Sequence, residues 1–338
     1  MSEFASYAQE LKFEDVLYEK KDGVATVTLN RPDTYNCYRT RTLKELILAF
    51  QDASWDDSVV AIVYTGAGTR AFCTGGDVRE YSEIYTKKPR DYWKYMGLFR
   101  AYLESILHAG KPSIARLNGM AVGGGNESQL ACDLTVMAEH AYVGQVGTSV
   151  GSVACGGATQ WLPLVVGDKR AREMLLLNPR IPARKALEWG LVNSVAPSVA
   201  KDGAFVENPT PEQVDLGQKK KEGWAIDLSK LDAAVADLVA KLKEKFVECT
   251  RYTRIQTNTL KDFVWGMTVA HAQDWLSTHF GGIEPYEGMQ AFVEKRKADY
   301  ARVRRSEFLH GPPEKACRCG AKGLPEDFAF CGKCGNKL

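Results

Sequence analysis

Three glycines followed two positions later by a carboxylate, in Asn118-Gly-Met-Ala-Val-Gly-Gly-Gly-Asn-Glu127, are the residues of this chain best placed to do chemistry. Glycine lets a backbone N–H approach a ligand closely, and Glu127 sets an acid/base group one helical turn away. Upstream, Phe72-Cys-Thr-Gly-Gly-Asp77 makes a second glycine-lined turn. Two N–H donors from separate turns are what an oxyanion hole requires, and in a dry site they are worth several kcal/mol. The matching chemistry is reaction beside a carbonyl whose oxygen gains negative charge, as an enolate or a tetrahedral oxyanion. A second group offers something different. Cys317-Arg-Cys319-Gly and Cys331-Gly-Lys-Cys334-Gly crowd the last 22 residues, where two thiolate pairs can converge tetrahedrally on zinc. The second pair has the usual Cys-x-x-Cys spacing, and the first, Cys-x-Cys, is a tighter knuckle. A structural zinc ribbon with four cysteine ligands is expected, closed to catalysis and suited to tail folding, oligomer contacts or docking to a protein partner. Redox-active dithiols are the alternative, without a thioredoxin-like context to favour them.

Turns of this kind need strands before them and helices after them. Val24-Ala-Thr-Val-Thr-Leu29 alternates and is β-branched, which predicts a strand. Val59-Val-Ala-Ile-Val-Tyr64 is a nearly continuous apolar run and predicts a strand buried on both faces. Ser113-Ile-Ala-Arg-Leu117 and Leu134-Thr-Val-Met137 are shorter strands of the same kind. Helical spacing runs from Thr42 to Ala53, with Leu43, Leu46, Ile47 and Phe50 on one face. It recurs from Tyr92 to His108, through Tyr95, Phe99, Tyr102 and Ile106. Repeated strand–strand–helix units predict an α/β fold. Beyond Pro197 the character changes. Lys201-Asp-Gly-Ala-Phe-Val-Glu-Asn-Pro-Thr-Pro211 is turn-rich, and Lys219-Lys-Lys-Glu-Gly is a solvated charge run. Ser229-Lys-Leu-Asp232 reads as a capping-box start to a helix through Phe246 with Leu231, Val235, Leu238 and Leu242 as its stripe. Another helical region follows from about Thr253 to His279, and Gly311-Pro-Pro313 reads as a linker to the cysteine module.

Together with Asn30-Arg-Pro32 and Gly167-Asp-Lys-Arg-Ala171, these segments closely resemble the crotonase (enoyl-CoA hydratase/isomerase) superfamily over roughly residues 15–300. The resemblance implies a spiral of ββα units over residues 1–200 and a helical oligomerisation region over 201–305, with the zinc ribbon at 311–338. It also implies a homotrimer or hexamer, although core packing alone would satisfy the helical spacing. By motif position, the family's oxyanion donors fall on Gly76 and Gly124 and its first catalytic glutamate on Glu127. Otherwise the glycines are only turns and Glu127 only caps a helix. The helix dipole favours the charged carboxylate, and desolvation against an acyl chain opposes it. A standard hydratase has a second glutamate in Gly-Gln-Pro-Glu, where this chain reads Gly144-Gln-Val-Gly147. Losing that group would forfeit general-base help worth about 10²–10⁴ in rate, and the space beside Gly147 is expected to admit a bulky ring or a positioned water.

Two branches of the family carry glycine there. Dihydroxynaphthoyl-CoA synthases lack a glutamate at the position of Glu127, whereas ring-opening hydrolases acting on 6-oxocyclohexene-carbonyl-CoA retain it. This chain has the second combination. The likeness extends through Tyr35-Asn-Cys-Tyr38, Glu80-Tyr81, Trp161-Leu-Pro-Leu164 and Asp202-Gly-Ala-Phe-Val206. Cys155 stands where both branches carry aspartate. It either lines the pocket as an inert thiol or takes a chemical role, and Ser152 matches a pocket serine of the synthases. For the CoA thioester substrate the resemblance implies contacts at Tyr35 and Cys37 and a pantetheine channel lined by Thr74, Val78 and Met120. Lys295 would supply a basic contact, if it is not simply a solvated helix face. Tyr85 would close over the acyl group, or else pack against the next helix.

The bulk numbers agree with a globular enzyme. Of 338 residues, 45% are hydrophobic and 25% charged. A net charge of +2, with no basic block carrying interleaved aromatics, gives no case for nucleic acid. No apolar run approaches the roughly 20 residues of a membrane span. The first residues lack the basic region and apolar core of a secretory signal, and Cys37, Cys73, Cys132, Cys155 and Cys249 are scattered as reduced thiols would be. A cytoplasmic location is expected. No histidine falls in the motifs, and no organic redox cofactor is implied. The expected activity is water addition to an unsaturated, alicyclic CoA thioester, with hydrolytic ring opening as a further step. The rivals are isomerisation or synthase-like cyclisation, and a non-catalytic CoA-binding scaffold whose zinc ribbon recruits a partner.

Overall fold

The alternation of Val24–Leu29 becomes a strand with Ala25, Val27 and Leu29 buried, and the apolar run at Ala61–Gly66 becomes one buried at every position. The computed structural model describes residues 4, 6–304, 314–325 and 328–338, so the linker at Gly311-Pro-Pro313 lies outside the described residues. The chain opens with β1 (Val16–Lys21), β2 (Val24–Leu29) and α1 (Thr40–Trp55). Then come β3 (Ala61–Gly66), β4 (Ala71–Cys73), and α2 (Val78–Glu80), which runs into a π-helical turn at Tyr81–Tyr85. Next are α3 (Pro89–Leu107), β5 (Ser113–Leu117), β6 (Met120–Val122) and α4 (Gly124–Ala131). After β7 (Leu134–Ala138) and β8 (Tyr142–Gly144) follow α5 (Ala158–Val166), α6 (Asp168–Leu177), β9 (Ile181–Pro182), α7 (Ala183–Glu188) and β10 (Ser194–Ala196).

These strands form two sheets. One runs β1-β2-β3-β5-β7-β10 and is parallel from β2 onward; the other runs β4-β6-β8-β9. Each turn of chain therefore adds one strand to each sheet before its helix, as β3–β4, β5–β6 and β7–β8 do. That stepwise coiling is the expected ββα spiral. The core lies between the sheets and the helices. In it α3 buries Tyr92, Tyr95, Phe99, Tyr102 and Ile106, and the Tyr64 and Tyr102 hydroxyls bond to each other at 2.6 Å.

The second half departs from expectation in two places. The turn-rich stretch after Pro197 holds a small sheet of β11 (Val199–Lys201), β12 (Ala204–Phe205) and, after α8 (Pro211–Lys219), β13 (Trp224–Ile226), with β11 in the middle. The helix α9 (Ser229–Lys243) has no capping box at Ser229. Asp227, two residues earlier, accepts from the Ser229 amide at 2.8 Å instead, and Leu231, Val235 and Val239 form the buried stripe, with Leu238 and Leu242 half-buried beside it. The last helices are α10 (Val247–His279), α11 (Ile283–Val293) and α12 (Tyr300–Val303). Rather than standing apart, α10 packs along α3 and α11 rests on the π-helical turn, so the helical layer covers the spiral of its own chain. Among the described residues no helix is long and apolar enough to cross a membrane. The tail pairs β14 (Glu314–Lys315) with β15 (Leu324–Pro325).

Candidate active site

The first glycine turn is aimed by its neighbours. Arg31 donates to Asp77 at 3.0 Å and to the Cys37 carbonyl at 2.7 Å, tying the Asn30-Arg-Pro32 loop to the turn. The Tyr38 amide donates to the Gly75 carbonyl and the Tyr38 carbonyl accepts from Asp77, both at 2.9 Å. Neighbouring peptide groups of an extended chain face opposite ways, so fixing Gly75 and Asp77 on Tyr38 turns the Gly76 amide away from that partner. Gly75 holds φ +88°, a left-handed geometry that favours glycine.

The second turn is built on the same logic. Gly123 at φ +55° donates to the Gly144 carbonyl and starts α4, so Gly124 is the first helical residue and its amide has no intrahelical acceptor. Among the described residues, no group accepts a hydrogen bond from the Gly76 or Gly124 amides. Both glycines line one cavity with Glu127, and a Cβ on Gly75 would touch the Gly124 nitrogen at 3.0 Å, so the two turns meet.

Glu127 is the only carboxylate lining that cavity among the described residues, and it is 4% exposed. Burial pushes its pKa up to about 7, against the opposing pull of the Ala158 and Gly156 amides. Those amides donate to Oε1 at 3.2 and 2.7 Å, which leaves Oε2 without a protein donor. Desolvation thus outweighs the helix dipole here. Burial, with the Glu127 charge second, pushes the Cys155 thiol up to about 12, so Cys155 is a neutral wall of the cavity.

A model of the enoyl-CoA hydratase/isomerase family matches residues 19–207. The chain belongs to that family. Two curated relatives are 6-oxocyclohex-1-ene-1-carbonyl-CoA hydrolases. The one from Geobacter metallireducens is 37% identical, covering 83% of this chain and 80% of the relative. The one from Thauera aromatica is 36% identical, covering 80% and 77%. Among solved structures, an enoyl-CoA hydratase from Mycobacterium avium subsp. paratuberculosis K-10 superposes with a TM-score of 0.69 at 24% identity, over 86% of this chain and 99% of that one, which shows the shared fold.

Of the other residues picked out from the sequence, Thr74, Val78, Gly147, Ser152 and Cys155 line the cavity of this crotonase, and five do not. Tyr35 stands beside it, 44% exposed, its carbonyl accepting from Thr74 at 3.3 Å. The Cys37 sulfur packs against Arg31, and the Met120 sulfur accepts from the Tyr142 hydroxyl at 3.5 Å. Lys295 is exposed just past the end of α11. Tyr85 is packed rather than poised to close, with its hydroxyl 2.5 Å from that of Thr40 and its ring among Tyr81, Tyr92 and Tyr95. Beside Gly147 the cavity is bounded on one side by its own loop, where a Cβ would crowd the Ser152 carbonyl at 3.1 Å and the Ala154 amide at 3.3 Å.

Sequence reasoning missed an aromatic and thioether wall: Tyr38, Tyr81, Tyr92, Met96 and Phe99, closed by Leu276 of α10 and Met289 of α11. Tyr92 and Phe99 were visible as part of the apolar face of α3, but nothing local marked that face as cavity wall.

In the tail the four sulfurs of Cys317, Cys319, Cys331 and Cys334 lie within 4.8 Å of one another, with Cys317–Cys334 at 3.5 Å and Cys319–Cys331 at 3.7 Å. A tetrahedron with Zn–S bonds of about 2.3 Å has edges of about 3.8 Å, so the thiol set fits a metal ion of that size. The Lys333 amide, first among the groups turned to it, lowers the Cys331 thiol below its ordinary value.

Proposed function

We propose that this chain adds water to an unsaturated alicyclic CoA thioester carrying a ring ketone and then opens the ring hydrolytically; its curated relatives are named hydrolases of such a thioester, 6-oxocyclohex-1-ene-1-carbonyl-CoA. One observation carries the reading: among the described residues, two amides without acceptors and a single carboxylate, raised to about 7, share one cavity. The Gly76 and Gly124 amides take the thioester oxygen. Glu127, with Oε2 turned to no protein donor, removes a proton from water and returns one to the carbon beside the thioester. A base with a pKa near the working pH suits such two-way transfer. Thr74 and Val78 line the approach, and the apolar wall of Phe99, Met96, Leu276 and Met289 suits a carbocycle.

The CoA thioester is the substrate. We assign zinc to Cys317, Cys319, Cys331 and Cys334 as a structural crosslink of the tail. We also assign a homotrimer or hexamer as the working assembly, which light scattering on the purified protein would measure, and a cytoplasmic location. The ribbon's remaining use would be to dock a protein partner.

The activity test follows mass. Incubation with 6-oxocyclohex-1-ene-1-carbonyl-CoA should give a product heavier by two waters, and cyclohex-1-ene-1-carbonyl-CoA one heavier by a single water. CoA ester that binds without any mass gain would contradict the reading and favour a scaffold.

A further inference from the structure

Tyr38 brings to the cavity a polar group that the scheme above does not use. Its backbone holds the first glycine turn, and its ring stacks on Phe99 with centroids 5.4 Å apart. That packing lays the hydroxyl against Gly124, where an added Cβ would overlap it. The residue is 2% exposed, yet among the described residues nothing hydrogen-bonds its hydroxyl. Neighbouring tyrosines are satisfied, Tyr81 by Tyr95 at 2.7 Å and Tyr64 by Tyr102. The residue borders the cavity lined by the two unbonded amides, where water or a ligand can supply the hydroxyl with the partner that no protein group gives it. Burial raises its pKa well above the usual tyrosine range, so it stays a donor.

We propose that the Tyr38 hydroxyl is a catalytic residue that hydrogen-bonds a second substrate oxygen, that of a ring ketone β to the thioester carbonyl. This rests on the ring-opening reading above. In a cyclic β-oxo thioester with both carbonyls turned the same way, the two oxygens lie side by side. With one oxygen on the Gly76 and Gly124 amides, a tyrosine hydroxyl flanks each glycine; that of Tyr81 beside Gly76 is taken by Tyr95, which leaves the Tyr38 hydroxyl beside Gly124 for the second oxygen. Water adds to the ketone carbon, giving up a proton to Glu127, and the ketone oxygen becomes an alkoxide stabilised by Tyr38. The bond from that carbon to the α-carbon then breaks and the ketone carbon becomes a carboxylic acid. The electron pair moves onto the α-carbon and thioester oxygen as an enolate held by the two amides, and Glu127 returns the proton to the α-carbon. One water is consumed and nothing is oxidised or reduced. An ester without the ketone presents no oxygen to Tyr38, so this residue separates ring opening from simple hydration.

Tyr38→Phe in the whole chain keeps the stacked ring and removes only the hydroxyl. With 6-oxocyclohex-1-ene-1-carbonyl-CoA as probe, the ring-closed one-water adduct should accumulate. The two-water acid should form about a hundredfold more slowly or worse, through kcat rather than KM, as losing one oxyanion donor does. Ring opening by the variant at the wild-type rate overturns the role alone. So does an equal slowing of both hydrations, the mark of a packing defect. Wild-type protein that stops at the one-water adduct overturns the ring-opening reading, and the role with it.

Discussion

Glu127 combines two features that a surface carboxylate does not: it sits in the first turn of a helix and it is buried. Burial wins, and its proton leaves near pH 7 instead of near the ordinary 4.5. In the proposed role of base it works only when deprotonated, so kcat/KM should rise as pH climbs through about 7 and level off above it. A profile already flat from pH 5 upward would contradict the assignment. Glu127→Gln keeps an acceptor for the Gly156 and Ala158 amides but cannot take a proton, and kcat should fall by about 10²–10⁴. The residue itself was legible because its identity and its offset from three glycines are written in a contiguous stretch. Its pKa was not, since the sequence sets the helix dipole against desolvation without saying how deeply the cavity is closed.

At the scale of elements, the site depends on which amides are already taken. Tyr38 occupies the Gly75 carbonyl and the Asp77 amide, and Arg31 clamps Asp77, so only the Gly76 amide between them is left for a ligand. Arg31→Leu should therefore lower kcat/KM by about tenfold or more, through a misaimed donor, while circular dichroism stays that of the wild type. Unchanged kinetics would show that the turn holds its shape without the ion pair. The strands and helices that carry these turns were readable from period and β-branching, as Val24–Leu29 and the Tyr92–Ile106 face show. Three features were not. Gly147 faces loop backbone, Tyr85 is locked by Thr40, and Tyr38 presents its hydroxyl to Gly124. The last two are set by contacts between segments distant in sequence and the first by the path of one short irregular loop, and in neither case does local pattern carry the information.

Across the whole molecule, the helical layer belongs to the site as well as to the surface. Leu276 and Met289 reach the cavity, and close glycine contacts seat α11 on the loop after Gly147: Gly151 beneath the Glu284 carbonyl and Gly288 against that of Val150. The cysteine tail contributes no residue to the cavity among those described. Purified protein should carry about one zinc per chain, the capacity of a single four-thiolate site. Cys331→Ser should lose that zinc by elemental analysis and keep thioester hydration. Loss of hydration together with the metal would tie the tail to catalysis. The central claim is that the Gly76 and Gly124 amides converge on one thioester oxygen beside Glu127. A crystal structure of Glu127→Gln holding a cyclic enoyl-CoA ester tests it most directly. The account predicts that oxygen at about 2.7–3.1 Å from both amide nitrogens; an oxygen bound elsewhere, or reached by only one of the two amides, would contradict it.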